Sequence, residues 1–441
     1  MKYLLLYTIV TFCSTVQARS QDSVRTISNL GDSVVAVDKV ILVGNTQTKD
    51  FVITREMTIR PGMLITRELL QYDQERIYSL RLFNQVQLKV VRSSPGMADI
   101  IVEVSERWYI FPFPIFGIRD RDWSKAYYGL GILHSNFRGR NEKLYLSTVF
   151  GYDPSLVLAY RNPFLSDEGT YILDARLAYN KSRNKSLMAQ AGLDNFNEKH
   201  FSVSLSLGRR FRIEHTLWLS AGYEHIDISD YLPVRTLSPD GKDTHPVLGV
   251  GYNYDSRDLL DYPNKGSMVR VSITKFGWHG NAVDIVRYGI DLRRYTPVID
   301  NLTLTNRVFS DVVAGGQTPG YNRTYFGYGE RIRGHFKEVV EGESIFGLSS
   351  ELHYTLLSPV YFNVHFLPAE FGVWKFGVVA AAFADAGTVW FRGEPVVLNA
   401  FLRGYGVGLH FLLPYSAILR TEYAWNEARR GEFIIDVGAA F

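Results

Sequence analysis

The chain is short of cysteine. Cys13 is the only one among 441 residues, and it lies in a segment that reads as an address. Lys2 supplies positive charge, Leu4 to Phe12 is apolar but too short to span a bilayer. Val16-Gln17-Ala18 then offers small residues for a secretory cleavage after Ala18. The mature chain would hold no cysteine, which closes off disulfides, thiol catalysis and cysteine-ligated metal. A lipoprotein would need a small residue just before Cys13, and Phe12 stands there. Long apolar runs are missing too: none reaches ~18 residues, so helical membrane spans are excluded. Nor is one sign of charge in excess. Lys and Arg number 48 against 45 Asp and Glu, a net +3, which gives no argument for a nucleic-acid partner.

Catalytic signatures are equally scarce. The ten His are scattered, with no HExxH and no close ligand pair in sequence, so no metal site and no cofactor are expected. Gly404-Tyr405-Gly406-Val407-Gly408 is not a dinucleotide fingerprint, because no βαβ unit surrounds it. There is no G-x-S-x-G elbow, and no carboxylate pair is singled out for acid–base work. The chain does not read as an enzyme.

What is abundant is aromatic and small. With 27 Tyr, 27 Phe and 37 Gly the chain is not disordered, and it leans toward a membrane barrel, which needs interfacial aromatics and tight turns. After a linker at 19–33, residues 34–107 read as a small mixed domain. Val37 to Val43 is strand-like and ends at Gly44-Asn45. Thr48 opens a helix to about Thr58, stopped by Arg60-Pro61-Gly62; Thr66 opens a second, with Leu69, Tyr72, Ile77 and Leu80 on one face. Val86, Leu88 and Val90 alternate with polar neighbours, as do Ile100, Val102 and Val104. The order β-α-α-β-β predicts two helices on one face of a three-stranded sheet, a small unit that is marginal alone. Its sheet edge could receive an extended peptide.

From Trp108 to Phe441 a period of two replaces the helical one. Phe201, Val203, Leu205 and Leu207 alternate with Ser202, Ser204, Ser206 and Gly208; Val286, Tyr288, Ile290 and Leu292 alternate with Arg287, Gly289, Asp291 and Arg293. The segments are ~10 residues long, as a tilted membrane strand requires, against ~5–6 in globular sheets. Aromatics cluster at their ends: Trp108, Tyr109, Phe111 and Phe113; Tyr127 and Tyr128; Trp374 and Phe376; Trp390 and Phe391. Sixteen candidate strands, centred from Ile115 to Ile435, predict a 16-stranded antiparallel transmembrane barrel in a mainly β protein. Short turns such as Pro263-Asn264-Lys265-Gly266 alternate with longer links at 227–244 and 312–344; the long aromatic link at 358–375 breaks the alternation.

Two sets of residues carry a family resemblance. Gly44-Asn45-Thr46, Thr48, Ile53-Thr54-Arg55-Glu56, Pro61-Gly62 and Asp99 to Glu106 resemble a POTRA (polypeptide-transport-associated) domain. In the barrel, Asn136-Phe137-Arg138-Gly139-Arg140, Arg161-Asn162-Pro163-Phe164, Tyr254-Asp255-Ser256-Arg257-Asp258, Glu351-Leu352-His353-Tyr354 and Phe383-Ala384-Asp385-Ala386-Gly387 resemble the BamA/TamA/FhaC superfamily of outer-membrane assembly and translocation proteins. Arg331-Ile332-Arg333-Gly334-His335-Phe336 is similar to that family's loop tip, which folds back into the lumen. Phe433, Ile435 and Val437, with the terminal Phe441, are similar to its C-terminal β-signal.

The resemblance implies an outer-membrane barrel in a Gram-negative-type bacterium, with the small domain in the periplasm. It implies unfolded client proteins and the lipid bilayer as partners, periplasmic chaperones or accessory lipoproteins beside them, and no covalent chemistry. It pairs Arg333 with Asp385 first and Glu351 second. Strand parity turns Glu351, Phe383, Asp385 and Gly387 inward, because Leu352, Tyr354, Ala382 and Ala384 face the other way. One POTRA-like domain, where assembly relatives carry several, keeps a second reading in play: a passive pore or a surface-anchored receptor.

Overall fold

A computed structural model describes residues 35–118, 123–166, 170–183, 197–228, 235–336, 338–364, 366–368 and 372–438. The proposed signal peptide and the β-signal's Phe441 lie outside them. The first unit contains β1 (Ala36–Val43), α1 (Asp50–Thr54), α2 (Arg67–Tyr78), β2 (Phe83–Ser94) and β3 (Met97–Glu106). Its sheet order is β1-β3-β2, with β1 parallel to β3 and β2 antiparallel to it. Val86, Leu88, Ile100, Val102 and Val104 are buried, as their alternation predicts. Thr66 caps α2 by accepting the Leu69 N–H at 3.2 Å.

The face expected of α2 is corrected by one position. Leu70, Asp73 and Ile77 are buried, whereas Leu69, Tyr72 and Leu80 are only half-covered. Asp73 turns inward because its carboxylate accepts the backbone N–H groups of Thr58 and Ile59 at 2.7 and 2.9 Å. Those two donors lie beyond α1, which ends at Thr54 and is far shorter than the helix expected up to Thr58.

The rest is one antiparallel ladder with a long inserted loop. Its elements are β4 (Ile110–Ile118), β5 (Ala126–Phe137), β6 (Glu142–Gly151), β7 (Ser155–Asn162), β8 (Tyr171–Arg183), β9 (Asn197–Arg210), β10 (His215–Ile228), β11 (Lys242–Asp255), β12 (Gly266–Phe276), β13 (Ile285–Ile299) and β14 (Leu302–Gly315). The loop strands β15 (Thr324–Phe326) and β16 (Val340–Gly342) pair with each other. Then follow β17 (Ser344–Asn363), β18 (Val373–Trp390), β19 (Leu402–Leu412), β20 (Ile418–Asn426) and β21 (Gly431–Val437). Without β15 and β16 these make the sixteen-stranded sheet, and each expected strand centre falls within one of its strands. Outward positions are apolar and bare: Leu205, Leu219, Val250, Tyr288 and Val407 are exposed, while the alternate positions point into the lumen. No helix among the described residues is long and apolar enough to cross a membrane. The strands do the crossing, because the ladder satisfies its own backbone groups everywhere but along the outer edges of its two end strands.

The aromatic link at 358–375 is corrected: it is not a long loop. β17 runs on to Asn363 and β18 starts at Val373, pairing Tyr361 with Lys375 and Phe362 with Trp374. The hairpin projects beyond the barrel until Lys375 lies 5.3 Å over the Tyr78 ring of the small domain.

The small domain is docked across the short-turn end of the barrel. Phe164, from the β7–β8 turn, is 1% exposed and belongs to the domain's own apolar core, with Phe51 5.7 Å from it and Arg55 4.4 Å over its ring. Asn136 donates to Thr48 Oγ1 at 2.9 Å, and Lys49 N–H donates to the Gly139 carbonyl at 2.9 Å. Leu260 N–H donates to Ser79 at 3.4 Å, and Arg81 pairs with Asp261. Tyr109, read from sequence as part of an interfacial girdle, is instead buried in this joint with its hydroxyl 3.0 Å from Thr48 Oγ1. The barrel segments around Asn136, Arg161 and Asp258 that carry the family resemblance thus build the seat of the small domain. A unit that is marginal alone is stabilised here by borrowed core.

One buried salt bridge dominates the joint. Glu56 accepts Arg210 at 2.6 Å and Arg76 at 2.6 Å. Burial alone would raise the carboxyl pKa, but the two guanidiniums outweigh it and hold Glu56 at about 2. A depressed carboxylate stabilises the docked state fully above its unfolded pKa of ~4.3, and that stability is lost as pH falls through about 2. By linkage it amounts to roughly 3 kcal/mol. Protection factors of the α1 and α2 amides, corrected for intrinsic exchange, are therefore expected to fall between about pH 4 and 2, and Glu56→Gln should show low protection at neutral pH with that acid dependence gone.

Candidate functional site

The long connection between β14 and β17 leaves the sheet on the side away from the small domain and folds back into the barrel. Parity on the neighbouring strands decides what it meets. Glu351 lies on β17, Phe383 and Asp385 on β18, and Glu422 on β20, all with side chains directed inward and all buried. Their strand neighbours Leu352, Tyr405, Val407 and Tyr423 are exposed on the outer face.

Arg333 enters this ring of carboxylates. Its Nε and Nη2 donate to Asp385 at 2.7 and 2.8 Å, a bidentate fork. Its Nη1 donates to Glu351 at 2.7 Å and to Glu422 at 3.0 Å, and Nη2 reaches Ser349 at 3.3 Å. The guanidinium carbon lies 3.5 Å from the centre of the Phe383 ring. Five donors in one plane can serve three carboxylates at once, which a lysine ammonium cannot do with the same geometry.

The backbone of the tip is held as firmly. Gly334 has φ +98°, and a Cβ there would come within 2.8 Å of the Trp425 carbonyl. Opposite it, a Cβ on Gly404 would fall 1.6 Å from the Arg333 carbonyl, so only glycine on β19 admits the tip. Glu432 accepts the N–H groups of Gly334 and Phe336 at 2.9 and 2.8 Å. Ile332 packs with Phe326 and Ile345, Phe336 lies against Phe383, Ala424 and Ile434, and Arg331 stays exposed with its guanidinium 4.1 Å over Phe336. His335 bridges Glu338 and Glu427 at 2.8 Å each. Gly387 sits beside the Phe326 ring rather than at the tip.

Glu422, Glu432 and Ser349 escape a reading from motifs, since each stands in an unremarkable strand. The signal was the inward face of β20, where Arg420, Glu422 and Asn426 alternate with apolar and aromatic residues. The structure also corrects the picture of scattered histidines: His353 and His410 converge on Glu351. The Glu351-x-His353 spacing, two residues apart and therefore on one face of a strand, was the available sign.

The ladder has a single seam. β21 and β4 are its two ends, and no backbone pairing joins them among the described residues. Ser135 N–H donates to the Tyr109 carbonyl at 2.8 Å, which fixes the phase of the β4–β5 pair. Phe111, Phe113 and Ile115 bond β5, and the even positions turn their backbone to the seam. Two of these are Pro112 and Pro114, which have no N–H to offer. On the facing strand, Gly438 N–H donates to Ile418, so Phe433, Ile435 and Val437 direct their backbone to the same seam. Their side chains are among the most exposed apolar groups of the barrel.

Comparison with known proteins agrees with this architecture. Residues 136–441 match the model of the Omp85 superfamily domain, and residues 35–107 match that of the POTRA surface antigen variable number repeat. The outer membrane protein assembly factor BamA of Nitratidesulfovibrio vulgaris is 23% identical over 315 residues, covering 68% of this chain and 38% of that protein. The chain thus spans well under half the length of that relative. Among solved structures, BamA from Haemophilus ducreyi lacking POTRA domains 1–3 superposes with a TM-score of 0.53 at 18% identity, over 91% of this chain and 83% of that one. CdiB from Escherichia coli gives 0.52 at 11% identity, over 92% and 90%. At these identities the two structures speak for the fold.

Proposed function

This chain belongs to the Omp85 superfamily, and we propose that it acts in the outer membrane as an assembly or translocation factor that passes unfolded client polypeptide without covalent chemistry. The observation that carries the reading is the seam. A closed barrel has no free edge, whereas here β4 offers acceptors without matching donors at two positions and, among the described residues, no strand pairs with the outer edge of β21. An extended client strand can dock on such an edge by backbone pairing. The small domain supports the same reading: it sits at the short-turn mouth, its last strand β3 leads within a few residues into β4, and β1 and β2 are both sheet edges. The Arg333 arm, anchored in the lumen next to β20 and β21, ties the seam's far strands to the loop. A passive pore has no use for either feature.

Depletion of the protein followed by a quantitative census of outer-membrane and secreted proteins tests this. A broad loss of barrels is the result expected of an insertase, and loss of one secreted cargo that of a dedicated translocator. An unchanged census, with the depleted protein verifiably gone, would overturn the proposal in favour of a pore or receptor.

A further inference from the structure

Below the Arg333 tip the lumen holds a group that the client-handling reading does not use. Glu351 and His353 sit two residues apart on the inner face of β17, and His410 faces them from β19. All three are buried, and one potential ligand atom from each lies within 4.8 Å of the others. Between them runs β18 with Ala381, and Gly408 lies beyond it, so small residues leave the space that the two imidazoles occupy.

The carboxylate of Glu351 is divided between two tasks. Its Oε2 accepts Arg333, while Oε1 faces the imidazoles. His353 Nε2 hydrogen-bonds that oxygen, and His410 Nε2 stands 3.7 Å from it. Ligand atoms in a tetrahedral zinc site are ~3.4 Å apart, given bonds of ~2.0–2.1 Å. The histidines are also oriented from behind. Tyr262, buried at the β11–β12 turn, places its hydroxyl 2.8 Å from His410 Nδ1 and stacks on His353 with ring centres 4.9 Å apart. A hydrogen-bond partner on the far nitrogen is what fixes a ligating histidine, because it leaves Nε2 as the free lone pair. His353 Nδ1 is buried and has no hydrogen-bond partner among the described residues.

Charge points the same way. The ion-paired group contains Arg333 and Arg420 against Glu351, Asp385, Glu422 and Asp436. Asp436 is partly open to solvent, so among the buried groups two guanidiniums face three carboxylates, and neutral imidazoles leave an excess of one negative charge. Such an excess is costly unless a cation answers it.

We propose that Glu351, His353 and His410 bind a first-row transition-metal dication, Zn2+ foremost, through Oε1, Nε2 and Nε2. Two imidazoles and one carboxylate suit that class of ion rather than Mg2+ or Ca2+. On binding, the ion takes the place of the proton on His353 Nε2, which moves to Nδ1 as the neutral imidazole changes tautomer. Glu422, with an oxygen 3.3 Å from His410 Nε2, or a water completes the shell. Because Glu351 holds the ion with one oxygen and Arg333 with the other, the metal braces the carboxylate that receives the loop tip.

The full chain, refolded in detergent and stripped with a chelator, can be titrated with Co2+ and Zn2+. The expected result is uptake of about one ion per chain, with a visible cobalt absorption band of tetrahedral intensity that Zn2+ displaces. His353→Gln and His410→Gln should each weaken binding at least a hundredfold, and Tyr262→Phe about tenfold. Heat-modifiable gel mobility shows which variants retain a folded barrel; should a histidine variant fail it, the cobalt spectrum of the unsubstituted chain decides. Absence of stoichiometric uptake by the folded chain overturns the proposal and leaves a protonated histidine pair as the balancing charge. Undiminished binding in a folded double His353→Gln, His410→Gln variant overturns it equally. The titration reads metal alone, so its outcome is independent of the client census.

Discussion

Arg333→Ala is expected to leave a barrel in the membrane that no longer handles clients. The substitution removes the one cation that serves Asp385, Glu351 and Glu422 together. Taking one partner from a well-buried ion pair costs ~3–5 kcal/mol, mostly through the charge left behind. The strands keep their ladder bonds and their lipid-facing residues, so the sheet itself survives. What gives way is the arm: Gly334 and Phe336 still donate to Glu432, but the tip loses its anchor on β17, β18 and β20. Protease sensitivity should rise within 316–343 while heat-modifiable mobility persists, and client insertion or secretion should fall at least tenfold. Arg333→Lys should rescue little, because a single ammonium cannot reproduce the planar fork on Asp385 together with the bond to Glu351. Full client handling in Arg333→Ala would reject the proposed role of the arm.

The second large effect is expected at the seam. Replacing Pro112 and Pro114 together with valine restores two N–H donors on the edge of β4 that faces β21. Each hydrogen bond so gained contributes ~0.5–1.5 kcal/mol, so the seam would be tightened by about 1–3 kcal/mol. The open population would then fall by roughly five- to 150-fold. The variant should therefore resist thermal unfolding better than the parent and yet assemble clients more slowly. This inverse relation separates the seam from ordinary structural damage, which lowers both. Stability and activity that move together, or no change in either, would show that clients do not use this edge. Because the mature chain is expected to lack cysteine, paired cysteines introduced across β4 and β21 offer a direct check: oxidation should block client passage and reduction restore it.

Sequence pattern and tertiary structure part company at identifiable places. Period-two alternation locates the strands, because in a barrel one face meets lipid and the other water, and that constraint acts on each residue independently of its partners. It also turns Glu351 and Asp385 inward, since parity along a strand admits no other choice. The face of α2 shifts by one residue because Asp73 is drawn inward by two unpaired backbone donors, a polar demand that hydrophobic periodicity does not register. The aromatic run at 358–375 looks like a loop because it extends beyond the bilayer, where the lipid-facing pattern no longer applies.

Sequence by itself therefore determined the class of architecture, the strand count, the inward carboxylates and the arginine loop, all of which follow from local alternation or from a resemblance carried by contiguous residues. Tertiary structure alone decided which carboxylates share Arg333, that Phe164 completes the core of the small domain, that Pro112 and Pro114 face an unpaired neighbour, and that His353 and His410 meet on one glutamate. These depend on register between strands far apart in the chain. A shift of one residue reverses which face each side chain takes, and only the paired ladder sets that register.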